Sequence, residues 1–158
     1  MRQVEKSLAA HRFVLGMSSQ DVGLLADCAV MVSYPQGAVI FHEGEDADRL
    51  FLIEDGTVSL ESTVGSEPIV TETVGAGELL GLSWLFPPHR WRVTARVCQA
   101  ATAIAINGTL LRKYSERDHS LGFQLHQRFT EVMTRRFQSM RSRFLESINR
   151  SDRSPQCE

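Results

Sequence analysis

Residues 41–60 read FHEGEDADRLFLIEDGTVSL, and the way this stretch is parsed decides the fold. An acidic turn around Gly44 precedes the apolar run FLI, and Asp55-Gly56 separates that run from a second one, TVSL. Apolar and β-branched runs this short, punctuated by Gly and Asp, fit the strands of an antiparallel sandwich or barrel better than helices. The Asp-Gly step is the dipeptide most suited to a tight hairpin, so the spacing predicts a turn at residues 55–56.

The same rhythm extends outward. AVMVSYPQGAVIF (29–41) and EPIVTETVGAGELL (67–80) are broken at Pro35-Gln36-Gly37, Gly65-Ser66 and Gly75-Ala76-Gly77. RVTARV (92–97) runs on through AATAIAI to Ile106. About eight strands are expected between residues 29 and 108.

Both flanks read as helical. Residues 18–27, SSQDVGLLAD, offer Ser18 or Ser19 as a cap and place Asp21 where a carboxylate suits the helix dipole. LAAHRFV (8–14) adds another turn or two. After Ile106, Asn107 or Thr109 caps GTLLRKYSER (108–117). From His119 to Arg150 there is no proline and one glycine, Gly122. Leu125, Phe129, Met133, Phe137, Met140, Phe144 and Ile148 recur every three or four residues, the pattern of a long amphipathic helix. The four-three-four spacing from Met133 to Phe144 is that of a helix-to-helix seam, and it predicts a homodimer through residues 119–150. The organisation is therefore N-terminal helices over 1–28, strands over 29–108, helices over 109–150 and a tail over 151–158.

Composition sets the class. The chain has 158 residues, 42% hydrophobic and 23% charged, which suits one globular domain with its own core. It has no apolar run of the ~18 residues a membrane span needs, and its charged N-terminus makes a poor signal peptide, so no membrane association and a cytoplasmic location are expected. Cys28, Cys98 and Cys157 are odd in number and lack close spacing, which argues against zinc or a disulfide framework. Two are expected as small buried hydrophobes and the third as a thiol on the tail. The net charge of −2 hides an uneven split: residues 1–110 carry −6 and residues 111–150 carry +5. A basic helical end of this kind reads first as a solvated face, and only second as a polyanion site.

No catalytic constellation is present. His42 is followed by Glu43 without a second histidine nearby, and His11, His89, His119 and His126 fall on helices or on a loop. A histidine-carboxylate metal site, a P-loop and a nucleophile elbow are all unsupported, so a non-catalytic protein without a metal is expected.

The remaining unusual stretch is GELLGLSWLFPPHRWRVTARV (77–97), with its Pro87-Pro88 break and two tryptophans. FHEGEDADRLFLIEDGTVSL, GELLGLSWLF and VMTRRFQSMRSRF together resemble the cyclic nucleotide-binding domain of the catabolite-activator and Fnr type, over about residues 13–148. The resemblance implies a mainly β fold with flanking helices: a β jelly-roll (double-stranded β-helix) barrel plus a long C-terminal dimerisation helix that closes over a nucleotide. Gly81 matches the glycine of the family's phosphate-binding cassette. The next position, usually a glutamate that grips the ribose hydroxyl, is Leu82. The family's phosphate-binding arginine falls on Trp91, with Arg90 and Arg92 on either side, and a loop change of one residue would bring either arginine to the phosphate. Ser83 and Thr94 complete the candidate lining, and Met140 and Arg141 fall where relatives meet the purine.

An altered cassette implies a modified ligand, either a cyclic nucleotide or another small anionic molecule, with the helix passing the signal to a protein partner. The alternatives are a ligand-free interaction scaffold, its pocket filled by Trp84, Trp91 or Leu82, and a Crp/Fnr-type effector domain without its helix-turn-helix. Sequence-specific DNA binding by these residues is not expected. Losing the ribose acceptor costs roughly 1–3 kcal/mol, so cyclic AMP is expected to bind no tighter than about tens of micromolar.

Overall fold

A computed structural model describes residues 2–152. Helix α1 (Gln3–Ala10) stops at His11, which begins a 3-10 turn (Arg12–Val14). The helical expectation over 8–14 is thus met by two pieces with His11 as the joint. The ring explains the break: its Nδ1 accepts the Phe13 amide at 3.1 Å, so its Nε2 carries the proton and donates to the Ile53 carbonyl at 2.9 Å. Helix α2 (Ser19–Asp27) is capped by Ser18, whose hydroxyl accepts the Asp21 amide.

Six strands follow: β1 (Ala29–Tyr34), β2 (Val39–Phe41), β3 (Arg49–Val64), β4 (Glu67–Gly75), β5 (Leu79–Leu80) and β6 (Thr94–Asn107). They form an antiparallel sheet in the order β1-β6-β3-β4, with β2 joined to β6 and β5 to β3. Among the described residues no ladder joins β1 to β4, so the jelly-roll-like sheet is not closed into a barrel. Leu50, Phe51, Leu52 and Ile53 on β3 are all buried, as are Ala103 to Ile106 on β6. Burial of successive residues means that both faces of the sheet are covered here. Leu8, Phe13, Val14 and Leu25 of the N-terminal helices are buried too.

The expected hairpin at Asp55-Gly56 is not there. Strand β3 runs straight through these residues, and its register against β6 shifts between Ile53 and Val58. Gly56 has a φ of 89°, and a Cβ on it would lie 2.4 Å from the Ala100 carbonyl oxygen and 2.6 Å from Ala101 Cα. The Asp-Gly step is therefore a bulge pressed against the backbone of β6. One long strand in place of two accounts for part of the drop from about eight strands to six. The turn that does reverse the chain is Gly65-Ser66, between Val64 and its partner Glu67.

Helix α3 (Gly108–Arg117) is capped by Asn107, whose Oδ1 accepts the Leu110 amide. Helix α4 (His119–Asp152) is continuous over 34 residues. The chain divides into two compact units, Met1–Gly122 and Phe123–Glu158. No helix among the described residues is long and apolar enough to cross a membrane. Cys28 is buried, and desolvation, then the nearby Asp27 carboxylate, pushes its thiol up to about 11. Cys98 is exposed, against expectation, because β6 alternates and turns it outward with Arg96. Cys157 lies outside the described residues.

Two outcomes follow from these contacts. Gly56→Ala should cost roughly 3 kcal/mol or more, since neither β3 nor β6 can yield. Gly37→Ala, at a φ of 87° with nothing within 4 Å of its Cβ position, should cost only about 1–2 kcal/mol. Urea denaturation of both variants checks the contrast. Burial lowers the His11 pKa against the opposing effect of its hydrogen bond to the Ile53 carbonyl. The unfolded chain therefore takes up a proton near the ordinary value of about 6.5, and the folded chain only below it. Stability is complete above that pH and should fall as the pH drops through it. His11→Gln should flatten this slope in denaturation midpoints measured between about pH 7 and pH 5.

Candidate ligand site

The site is built by two short segments that pair with each other. The Gly44 amide donates to the Trp91 carbonyl at 2.7 Å, the Trp91 amide to Glu45 at 2.9 Å, and the Ala47 amide to His89 at 2.7 Å. Asp46 and Arg90 form an isolated antiparallel bridge between them. Arg90 holds the bridge to Asp46, and Arg92 lies in the bend that leads into β6. Trp91 is buried at 5% exposure, whereas both arginines are exposed.

Trp91 lies flat on Phe41, with ring centroids 3.7 Å apart and planes 9° from parallel. Phe41 stacks in turn near Phe51, at 6.2 Å, and Tyr34 meets Phe51 edge-on at 6.5 Å. The outer edge of the indole reaches Gly81. A Cβ at position 81 would stand 2.8 Å from Trp91 Cζ3 and 2.9 Å from Cη2, and the backbone there has a φ of 92°. Gly81 is thus needed twice, for its conformation and for its missing side chain. The bare backbone that could approach a phosphate is met by an aromatic ring.

The other expected residues take different positions. Leu82 is half-buried and leads into a 3-10 turn that starts at Ser83, also half-buried. The Arg90 guanidinium donates to the Gly44 carbonyl at 2.9 Å and lies 3.6 Å from the Asp46 carboxylate. At 58% and 88% side-chain exposure this ion pair is a surface contact of little energetic weight. The Thr94 hydroxyl accepts the Glu43 amide at 3.0 Å, which ties β6 to the acidic turn. Met140 and Arg141 lie on α4 within the second unit and are exposed. Gly81 and Trp91 are therefore brought into contact, with Leu82 and Ser83 next in the chain, while Arg90 and Arg92 point to solvent.

Beside Trp84, one of the side chains the scaffold reading named as filling the pocket, stand two residues that sequence reasoning missed, His89 and Arg112. Trp84 is fully buried, and its ring lies against Gly108 at the start of α3, where a Cβ would come within 2.7 Å of it. His89, at a φ of 56°, donates from Nδ1 to the Trp84 carbonyl at 2.8 Å. Its Nε2 then accepts from the Arg112 guanidinium at 3.3 Å. No local signal in His89 or Arg112 marks this link between the loop and α3. Phe86, two residues on from Trp84, is exposed. Among the described residues no group of three His, Cys, Asp or Glu side chains converges as a metal site would.

A family model for the cyclic nucleotide-binding domain matches residues 31–118, more than half of the sequence. The chain belongs to the cyclic nucleotide-binding domain family. It is similar to a Geobacter metallireducens protein described as cyclic nucleotide-binding, with 29% identity and a TM-score of 0.76 over 87% of this chain and 99% of that one. A cyclic nucleotide-binding domain from Methylobacillus flagellatus shares the fold at a TM-score of 0.78 and 18% identity, over 91% and 82% of the two chains. The N-terminal domain of a Streptomyces coelicolor transcriptional regulator does so at 0.67 and 21%, over 85% and 94%. No curated protein matches the sequence.

Within this cyclic nucleotide-binding fold, the Gly81–Trp91 contact can be measured directly. Gly81→Ala should cost about 2 kcal/mol or more in the native chain. In a Trp91→Leu background, where the outer ring edge is gone, it should cost at least about 1 kcal/mol less. A double-mutant cycle by chemical denaturation reads the difference, and additive costs would show that the ring and the glycine do not meet.

Proposed function

We propose that this regulatory-type domain is non-catalytic and works as a protein-interaction module whose nucleotide site is occupied by its own Trp91. The observation that carries this reading is the seating of the indole between Phe41 and Gly81. The family's arginine position holds a side chain that fills space and offers no charge to a phosphate. Leu82 stands where the family's ribose acceptor would be, so both strong polar contacts to a cyclic nucleotide are replaced by apolar ones. A ligand entering here must displace an aromatic ring that is already well packed. Signalling then rests on surfaces, foremost α4, whose apolar stripe calls for another helix from a second copy or from a different protein.

The alternative reading keeps a small anionic ligand held by Arg90, Arg92 and Arg141. It requires Arg90 to leave the Gly44 carbonyl and Asp46. Calorimetric titration separates the two. The native chain should bind cyclic AMP and cyclic GMP no tighter than about tens of micromolar. Leu82→Glu/Trp91→Arg, which restores both polar contacts, should bind cyclic AMP at least about tenfold tighter than the native chain. Submicromolar binding by the native chain, lost on replacing Arg90, Arg92 and Arg141 by alanine, would overturn the module reading in favour of the anionic ligand.

A further inference from the structure

Along α4, Met133, Phe137, Met140 and Phe144 follow the spacing of a pairing seam, and Ile148 adds an apolar residue one turn further on, at an e position beside it. All five are exposed, Phe137 to 66%, Met140 to 52% and Phe144 to 65%. With Phe137 and Phe144 at heptad position a, Met133 and Met140 take position d. The g positions are then Arg136, Arg143 and Arg150, seven residues apart, and Arg141 takes an e position. The one acidic residue between positions 133 and 150 is Glu146, which falls at c, beside the g edge, three residues from Arg143 and four from Arg150.

The charges beside a seam decide which helix it accepts. In a parallel pair of two copies, g faces the e position five residues on, which sets Arg136 against Arg141 of the second copy. In an antiparallel pair, g faces g and e faces e, and arginine again meets arginine. The self-pairing expected from the seam's spacing is therefore opposed by its edges, in either direction.

We propose that this face of α4 docks an acidic amphipathic helix of another protein. Such a partner presents apolar side chains at its own a and d positions and Asp or Glu at e and g. Its carboxylates meet Arg136, Arg141, Arg143 and Arg150, whose planar guanidinium groups suit bidentate pairing. The methionines let the seam adapt to differently shaped apolar side chains. The inference rests on the reading of the chain as an interaction module and specifies the partner's chemistry.

The test titrates the full chain with two synthetic peptides of about four heptads, both with leucine at a and d. One carries glutamate at e and g, the other lysine. The glutamate peptide should bind at least about tenfold tighter, and the advantage should shrink as salt is raised. Arg136→Glu/Arg143→Glu/Arg150→Glu should reverse the preference, and Phe137→Ser/Phe144→Ser should remove binding of both peptides while circular dichroism shows the helix retained. Equal affinity for the two peptides would overturn the proposal. So would a dimer at low micromolar concentration that the charge reversal fails to strengthen, or tighter binding to phosphatidylserine vesicles or random duplex DNA than to the glutamate peptide. Failure of the peptide arm leaves the occupied nucleotide site intact, whereas submicromolar cyclic AMP binding sinks that reading and leaves the peptide result standing.

Discussion

The structure depends on one close approach, the edge of the Trp91 indole against the bare Cα of Gly81. An arginine buried at this position needs an anion to offset its desolvation, and without one the site carries an uncompensated charge. An indole needs no such partner. Burying about 150–250 Å² of aromatic surface at ~25 cal/mol per Å² is worth up to roughly 4–6 kcal/mol. Much of that gain must be given up before a ligand can enter, and each 1.4 kcal/mol lost is about a factor of ten in affinity. On the function proposed above, the same indole that makes the fold self-sufficient would make it a poor receptor.

The rest of the loop holds that ring in place from two sides. The segment 89–91 is laced to 44–47 by three backbone hydrogen bonds, while Trp84 and His89 tie the preceding residues to Gly108 and Arg112. Loop and α3 are thus joined through the His89 ring and tight ring-to-glycine packing, contacts that resist small displacements because packed interiors leave little free volume.

Much of this was legible from the chain, and the misreadings have physical causes. Ser18, Asn107 and Gly65-Ser66 do in the structure what their local chemistry suggests. Asp55-Gly56 misleads because a hairpin turn and a bulge make the same local demand, a residue at positive φ. What decides between them is the backbone of Gln99 to Ala101, more than forty residues away in the chain. Pairings such as Trp91 with Phe41, or His89 with Arg112, have no sequence signature, because they join elements whose spacing is set only by the folded sheet.

A seam of about two heptads binds weakly by its apolar side chains alone, since short helices are marginal in water and a pair must also offset the loss of independent motion. Its flanking charges then carry a large share of the discrimination between partners. Arginine at Arg136, Arg143 and Arg150 raises the free energy of self-pairing and lowers that of pairing with a carboxylate-edged helix, so one feature acts in both directions. If Trp91 fills the nucleotide site, as proposed, the ligand-bound state is lost as a source of regulation. The energy available for switching then has to come from association, and electrostatic selection at an exposed helix supplies specificity without a demand for high affinity.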